Sequence, residues 1–122
     1  MKKYNKNIGN YGETLVANFL ENNNHKILHR NFETSKGEID IISLFNNKIL
    51  VFTEVKTRFS KEYGSPFESV TKSKQNNIKK LAKYYIYRYG LTNYYVRFDV
   101  AEVYLNHFDN TYKINIIEDA FR

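Results

Sequence analysis

Two short stretches decide the fold of this chain: GEIDII at residues 37–42 and ILVFTEVK at residues 49–56. Both consist mainly of β-branched and other apolar residues, a composition typical of buried strands. A carboxylate inside such a strand is costly unless a cation or hydrogen-bond donors compensate for it. Asp40 and Glu54 therefore need an explanation that a surface acid would not need.

The pairing of these two strands decides whether their acidic residues share a face. Side chains alternate along a strand, so Glu54 and Lys56 project together while Val55 points to the other side. A hairpin that pairs Asp40 with Glu54 has a three-residue loop at residues 46–48, where an asparagine can adopt the left-handed conformation that such loops need. A two-residue turn would separate the acids. We therefore predict the three-residue loop, or an equivalent bulge, and one face that carries Asp40, Glu54 and Lys56.

Length and composition limit the class of protein. A chain of 122 residues suits one domain, and we expect a single domain over residues 1–122. The absence of cysteine excludes disulfides and thiolate metal sites, and it fits a cytoplasmic location. Since no apolar run reaches the length of a membrane span, we expect a soluble protein with no membrane partner.

The positive charge of the chain is concentrated in one segment. The formal net charge is +6, whereas residues 56–88 alone carry +7. A basic surface beside an acidic cluster suits a polyanion that is held over a bound metal ion. A solvated, lysine-rich helix would have the same composition, and the charge alone does not decide between the two.

The remaining elements follow from hydrophobic periodicity. Residues 8–22 and 71–89 have apolar side chains at helical spacing, and Gly90 is a typical residue after a helix end. Three further strands are expected at residues 25–32, 94–104 and 112–117. Residues 57–66 form the longest irregular segment. The predicted order, αβββαββ, indicates an α/β fold with a central mixed sheet flanked by helices.

Glu13 lies at the edge of the apolar stripe of the first predicted helix. It precedes Val16, Ala17 and Leu20 by three, four and seven residues, so its carboxylate can reach an interior site. Spacing alone favours the alternative, a surface acid in the first turns of a helix, where the helix dipole stabilises negative charge.

Two further polar pairs on predicted strands have simple structural explanations. His25 and His29 share a strand face, but no third ligand accompanies them, so we expect surface residues rather than a zinc site. Arg97 and Asp99 also share a face and are expected to pair with each other.

Basic and amide side chains accompany the second predicted helix. Lys74 and Gln75 fall on or beside its apolar stripe at the first turns, where they can meet a phosphate if the helix begins near the acidic face. Tyr84 and Tyr87 of the same helix can stack on unpaired bases. The candidate nucleic-acid ligands of this region are Arg58, Lys72, Lys74, Gln75, Lys79, Lys80 and Lys83.

Several of these residues belong to an ordered set. The set comprises Gly12-Glu13 with Ala17, Arg30-Asn31-Phe32, Gly37-Glu38-Ile39-Asp40, Phe52, Glu54-Val55-Lys56-Thr57-Arg58, Gly64-Ser65-Pro66, Lys74-Gln75 and Arg97-Phe98-Asp99-Val100. It resembles the YraN-like family of bacterial proteins, which is similar to archaeal Holliday-junction resolvases. More broadly, Glu13, Asp40 and the Glu54-Val55-Lys56 motif resemble the PD-(D/E)XK, or restriction-endonuclease-like, nuclease superfamily. Thr53 departs from the family, which has an apolar residue there, and Ile39 stands in place of the proline of the superfamily's name.

The resemblance implies a metal-dependent DNA endonuclease. Two carboxylates at close range repel each other, which favours a hard divalent cation between them, so Asp40 and Glu54 would hold Mg²⁺ or Mn²⁺. The Val55 carbonyl is a candidate third ligand, and Glu13 would anchor a water molecule or a second ion. Lys56 would orient the attacking water and stabilise the charge that develops on the phosphate.

Other functions remain open at this point. One alternative is a nucleic-acid-binding module whose nuclease site is vestigial or depends on a partner. A metal-binding scaffold that does not touch nucleic acid is disfavoured by the basic helix. The likeness to resolvases implies branched or Holliday-junction-like DNA as the substrate and a homodimer as the assembly, although no stretch of sequence identifies an interface.

Overall fold

A computed structural model describes residues 2–59, 70–106 and 108–122, with side chains from residue 7 onward. In these residues, two helices flank a five-stranded sheet. The elements are α1 (Lys2–Glu21), β1 (His25–Thr34), β2 (Gly37–Phe45), β3 (Ile49–Phe59), α2 (Lys72–Tyr89), β4 (Tyr95–Leu105) and β5 (Tyr112–Phe121). The predicted α/β fold and the order αβββαββ are confirmed. Neither described helix is long and apolar enough to cross a membrane.

The strands lie in the sheet in chain order, β1-β2-β3-β4-β5. Neighbouring strands are antiparallel except β3 and β4, which pair in parallel from Ile49↔Tyr95 to Phe59↔Leu105. The sheet is therefore mixed, as predicted. A parallel pair needs a crossover connection, and α2 lies within it.

The β2–β3 hairpin has the predicted register. Phe45 pairs with Ile49, and residues 46–48 form the loop between them. Asn46 and Asn47 have φ angles of 51° and 58°, which is the left-handed conformation that asparagine tolerates. This register places Asp40 on β2 level with Glu54 on β3.

Each face of the sheet has its own hydrophobic core. Adjacent residues Ile41 and Ile42 point to opposite sides, as expected for a strand that is buried on both faces. The core under α1 includes Val16, Ala17, Leu20, Ile41, Ala101 and Val103. The core under α2 includes Ile42, Phe52, Ile78, Leu81, Tyr85 and Val100. The sheet therefore separates α1 from α2.

Several predicted boundaries were wrong, and at the ends of β3 and β5 the reason is that strand pairing extends the element. β3 continues to Phe59 alongside β4, so residues 57–59 belong to a strand. The rest of the predicted irregular segment, residues 60–66, lies outside the described residues. β5 continues to Phe121 through Asp119, which has a φ of 55°. α1 begins at Lys2 rather than at residue 8.

The prediction that His25 and His29 share a surface face was wrong. The pairing register shifts between Ile27 and His29, which reverses the alternation of side chains. His25 is buried, with Nδ1 2.8 Å from the Ser43 hydroxyl, whereas the His29 ring meets that of Tyr85 on the α2 side at 5.7 Å. The two imidazoles therefore cannot form a common metal site.

The predicted pair of Arg97 and Asp99 is confirmed. Arg97 donates through Nε and Nη2 to the two carboxylate oxygens of Asp99, at 2.9 Å each. Asp99 Oδ1 also accepts a hydrogen bond from the backbone N–H of Asp119 at 3.0 Å. The buried carboxylate therefore ties β4 to the end of β5.

Candidate metal and nucleic-acid site

Asp40 lies where the regular alternation of β2 is interrupted. Asn31, which faces it on β1, has a φ of 53°, and the flanking Ile39 and Ile41 pack into different cores. The carboxylate of Asp40 accepts a hydrogen bond through Oδ2 from the backbone N–H of Val55 on β3, at 2.7 Å. The Asp40 side chain thus turns toward β3 and links the two strands beyond their last paired residues.

Glu54 and Lys56 lie on the α2 side of β3. Phe52 packs into the core under α2, and alternation places Glu54 and Lys56 on the same side. Glu54 is buried. Ile42 packs into the same core as Phe52, so alternation from Ile42 puts Asp40 on the face that carries Glu54. The irregularity of β2 begins on the other side of Asp40, at Ile39.

The pKa of Asp40 is raised from 3.8 to about 8. Burial is the largest cause, and the negative charge of Glu54 is the next, while the hydrogen bond from the Val55 N–H acts in the opposite direction. Glu13 and Glu38 raise the pKa further. Carboxylates that are buried together hold either a proton or a cation, because their mutual repulsion is poorly screened.

Glu13 enters the site because α1 passes very close to β3. A Cβ atom on Gly12 would lie 1.8 Å from the Thr57 Oγ1 atom, so only glycine permits this approach. Glu13 is 8% exposed, and its Oε1 atom has no hydrogen-bond partner within the described part of the chain. The surface position that spacing favours for Glu13 is therefore wrong, and its carboxylate is an interior group.

The electrostatic surroundings of Glu13 connect it to Asp40. Burial raises the pKa of Glu13, and the charge of Glu38 adds to this effect. Arg30, with Nη2 4.0 Å from the carboxylate, and hydrogen bonds with the side chains of Asn31 and Asp40 lower it. The charge of Glu13 in turn raises the pKa of Asp40, so the two carboxyl groups influence each other.

The first turn of α2 faces the acidic residues. Thr71 caps the helix by accepting a hydrogen bond from the Lys74 N–H at 3.2 Å, and the Lys74 ammonium is ion-paired with Glu54. Burial lowers the pKa of Lys74, but the hydrogen bond and charge of Glu54 outweigh it, so the pKa is raised overall. Gln75 donates through Nε2 to the Val70 carbonyl at 2.8 Å and thus holds the segment before α2. The helix does begin near the acids, with Lys74 rather than Gln75 turned toward them.

The donor set suits a hard divalent cation. Glu13, Asp40 and Glu54 supply carboxylate oxygens, the ligands that Mg²⁺ and Mn²⁺ prefer. The Glu13 Oε1 atom accepts no hydrogen bond within the described residues, and the raised pKa of Asp40 shows that its charged form is poorly compensated in the metal-free protein. In residues 2–59, 70–106 and 108–122, no group of three His, Asp or Glu side chains already surrounds one metal position. Lys74 is instead paired with Glu54, so an ion that binds here competes with the Lys74 ammonium group.

The other candidate nucleic-acid ligands occupy separate positions. Lys80 lines a groove between α2 and the turn that joins β1 to β2. Lys79 donates to the backbone carbonyl of Arg122. The remaining residues are exposed on α2 or half-buried on β3: Lys72, Lys83 and Arg58. The basic segment is therefore spread along α2 and the end of β3, and Lys74 is its member at the acidic site.

Sequence reasoning missed two acids and one amide near the site. Glu38 raises the pKa of the neighbouring carboxylates, and Asn31 contributes both its left-handed backbone and a hydrogen bond. Glu102 on β4 is buried, is in register with Lys56, and accepts a hydrogen bond from Asn115 Nδ2 at 2.9 Å. An acid within an apolar strand is the signal that identified Glu54, and it applied equally to Glu102.

Comparison with known sequences finds relatives along the whole chain. The family model described as "Uncharacterised protein family UPF0102" matches residues 12–103. A UPF0102 protein of Clostridium botulinum (strain Alaska E43 / Type E3) is 57% identical over 122 residues, which cover 100% of this chain and 99% of the relative. A UPF0102 protein of Clostridium novyi (strain NT) is 50% identical over 121 residues, which cover 99% of this chain and 100% of the relative. This chain therefore belongs to the UPF0102 family, the YraN-like proteins that its ordered motifs resemble.

Proposed function

We propose that this protein is a metal-dependent DNA endonuclease that hydrolyses phosphodiester bonds. The observation that carries the proposal is the electrostatic interaction among three buried carboxylates, since the charges of Glu54 and Glu13 both raise the pKa of Asp40. Such a cluster opposes folding, because buried carboxylates without full compensation are costly. A site that binds a divalent cation explains why the chain carries them.

Each residue of the cluster has a distinct role in the proposed reaction. A divalent ion in this position supplies Lewis-acid chemistry, which polarises the phosphodiester and lowers the pKa of the attacking water. Asp40 and Glu54 would hold the ion, and Glu13 would orient a water molecule or hold a second ion. Lys56, on the Glu54 side of β3, positions the attacking water and stabilises the negative charge that develops on the phosphate.

The wider assignment rests on the resemblance to the restriction-endonuclease-like superfamily. It is supported by the element order αβββαββ and by the position of Asp40 and Glu54 on adjacent strands of a mixed sheet. On the same basis we propose branched or Holliday-junction-like DNA as the substrate, a homodimer as the assembly and the cytoplasm as the location.

A cleavage assay tests the proposal directly. Purified protein is incubated with Mg²⁺ or Mn²⁺ and with duplex, single-stranded, flap or four-way DNA. The wild type should cut at least one of these substrates, and Asp40→Asn and Glu54→Gln should each abolish the cut while DNA binding persists. Glu33→Gln, at an exposed acid of β1, is the matched control and should retain activity. Failure of the wild type to cut every substrate with either ion, despite binding DNA, would reject the nuclease.

A nucleic-acid-binding module with a vestigial or partner-dependent site is the second candidate. The ion pair between Lys74 and Glu54 favours it, because that pair compensates one carboxylate without a metal ion. This function predicts DNA binding without cleavage, and no stabilisation by metal that Asp40→Asn could remove.

A further inference from the structure

A groove runs along α2 away from the three carboxylates. Its smaller part, a cavity of about 300 Å³, is lined by Glu38 and Lys74 and so adjoins the proposed metal site. Its larger part, of about 440 Å³, continues along α2 to Tyr84. Both parts are lined by the same three residues, Lys36, Asn77 and Leu81. The two cavities therefore adjoin each other along α2, and together we call them the α2 groove.

The length of the α2 groove matches a short piece of a nucleic-acid strand. Lys74 and Tyr84, at its two ends, are ten residues apart on one helix, which corresponds to about 15 Å. Stacked nucleotides advance by about 3.4 Å each along a strand. The groove can therefore hold about four nucleotides of one strand.

The charges of the α2 groove suit a phosphodiester backbone. Lys36 and Lys80 line the larger part and Lys74 lines the smaller part, against a single acid, Glu38. Glu38 lies at the end beside the proposed metal site, so all charged side chains that line the larger part are basic. Asn77 adds an amide that can bond to a phosphate or a base edge.

Tyr84 provides the groove with an aromatic platform. Its side chain is 47% exposed, and its ring lies at 29° to the ring of the buried Phe32, with centroids 6.3 Å apart. Packing on Phe32 holds one side of Tyr84 against the core and leaves the rest of the ring accessible. A fixed, exposed ring beside lysines is the combination that binds unpaired bases by stacking. Tyr87, three residues further along α2, is 86% exposed and lies outside the groove.

We propose that the α2 groove binds a single strand of unpaired nucleotides that leads into the metal site, with one base stacked on Tyr84. This inference rests on the proposed nuclease function and adds a substrate class to it. The paired bases of a continuous duplex cannot reach the Tyr84 ring, whereas a flap, a fork or a single strand offers free bases. The groove therefore selects DNA that is unpaired next to the bond to be cut.

Binding without divalent metal tests the groove independently of cleavage. Fluorescence anisotropy in EDTA compares a labelled single strand with a duplex of the same sequence. The wild type should bind the single strand, and Tyr84→Ala should weaken that binding by about 5- to 100-fold and leave duplex binding unchanged. Tyr84→Phe keeps the ring and its packing on Phe32, so it should bind like the wild type. Tyr112→Ala, at a tyrosine of β5 that is 49% exposed, is the matched control and should also bind like the wild type.

A second matched pair tests the phosphate contacts. Lys80 lines the groove, whereas Lys26 is an exposed lysine of β1 outside it. Each phosphate neutralised on a single strand contributes about 0.7 to the slope of log affinity against log salt concentration. Lys80→Ala should reduce this slope by about 0.7, and Lys26→Ala should leave it unchanged.

The outcomes separate the groove from the nuclease. Any of three results would overturn the proposal for the groove: no binding of the single strand by the wild type, equal losses of binding in Tyr84→Ala and Tyr112→Ala, or equal losses for single strand and duplex. If Tyr84→Ala loses single-strand binding selectively and the wild type cuts nothing, the groove stands and the nuclease fails. If wild type and Tyr84→Ala cut duplex and flap DNA equally well, the nuclease stands and the groove fails.

Discussion

The ammonium group of Lys74, on the first turn of α2, is ion-paired with the carboxylate of Glu54 on β3. The Lys74 side chain is 52% exposed, whereas that of Glu54 is only 7% exposed. The ammonium can therefore move into solvent, while the carboxylate remains in place. A metal ion that binds Glu54 has to compete with this internal cation.

The first prediction concerns this competition. Lys74→Ala should destabilise the metal-free protein by about 1–2 kcal/mol, because Glu54 loses its partner. The loss is smaller than for a fully buried ion pair because the Lys74 side chain is half exposed. Added Mg²⁺ or Mn²⁺ should then stabilise the variant more than the wild type. Urea unfolding with and without metal measures both effects. Lys72→Ala, at an exposed residue of the same turn, should change neither, and an equal metal response in Lys74→Ala and wild type would contradict the competition.

The second prediction concerns pH. The pKa of Asp40 is raised from 3.8 to about 8, so between these values the folded protein keeps a proton that the unfolded chain releases. The free energy of unfolding of the metal-free protein should therefore fall as pH rises from about 4 to about 8. Because a proton and a metal ion compete for Asp40, the affinity for Mg²⁺ should rise over the same range.

Asp40→Asn provides the comparison for this pH dependence. Asparagine cannot titrate but can still accept the hydrogen bond from the Val55 N–H, so the variant should lose less stability over the same range. Above about pH 8 it should be more stable than the metal-free wild type. Glu33→Gln, at an exposed acid, should keep the wild-type profile. A wild type whose stability does not fall between pH 5 and 8 would contradict the prediction.

The sequence predicts the hairpin well because its determinants are local. Strand alternation and loop length together decide the register, and Asn46 and Asn47 can take the left-handed conformation that the loop needs. The end of β3 is different, since residues 57–59 become strand only by pairing with the distant β4. The prediction that His25 and His29 share a face is wrong for another reason: a register shift within β1 leaves no clear mark in the sequence.

The candidate site also has a part that the sequence predicts and a part that it does not. Asp40 and Glu54 are recognisable because acids inside apolar strands need compensation. The inward position of Glu13 depends on how closely α1 approaches β3, and the ion pair of Lys74 depends on where α2 packs. Both are contacts between elements distant in the chain, which periodicity cannot reveal.

The third prediction separates metal binding from turnover. Lys56 is assigned to the attacking water and the phosphate, so Lys56→Ala should abolish cleavage but retain stabilisation by Mg²⁺ or Mn²⁺. Asp40→Asn should lose both. Thermal unfolding with and without metal and a cleavage assay on the same preparations provide the comparison. Loss of metal stabilisation in Lys56→Ala would instead place Lys56 among the groups that organise the ion site.

The fourth prediction concerns the close approach of α1 to β3. Two substitutions of glycine by alanine on α1 should have opposite effects. A Cβ atom at Gly9 meets nothing within 4 Å, so Gly9→Ala should stabilise the protein by up to about 1 kcal/mol through helix propensity. A Cβ atom at Gly12 would lie 1.8 Å from Thr57 Oγ1, so Gly12→Ala should destabilise it by about 1–3 kcal/mol despite the same gain.

A double-mutant cycle with Thr57→Ala tests whether this contact is the cause. Removing Oγ1 eliminates the 1.8 Å contact, although the Thr57 Cβ atom remains at 2.9 Å from the added methyl group. The cost of Gly12→Ala should therefore be smaller, but not zero, in the Thr57→Ala background. Urea unfolding of the four proteins measures the coupling. The same displacement of α1 moves Glu13, so Gly12→Ala should also weaken stabilisation by Mg²⁺, whereas Gly9→Ala should not. Equal costs of Gly12→Ala in both backgrounds would show that the contact with Thr57 is not the cause of the destabilisation.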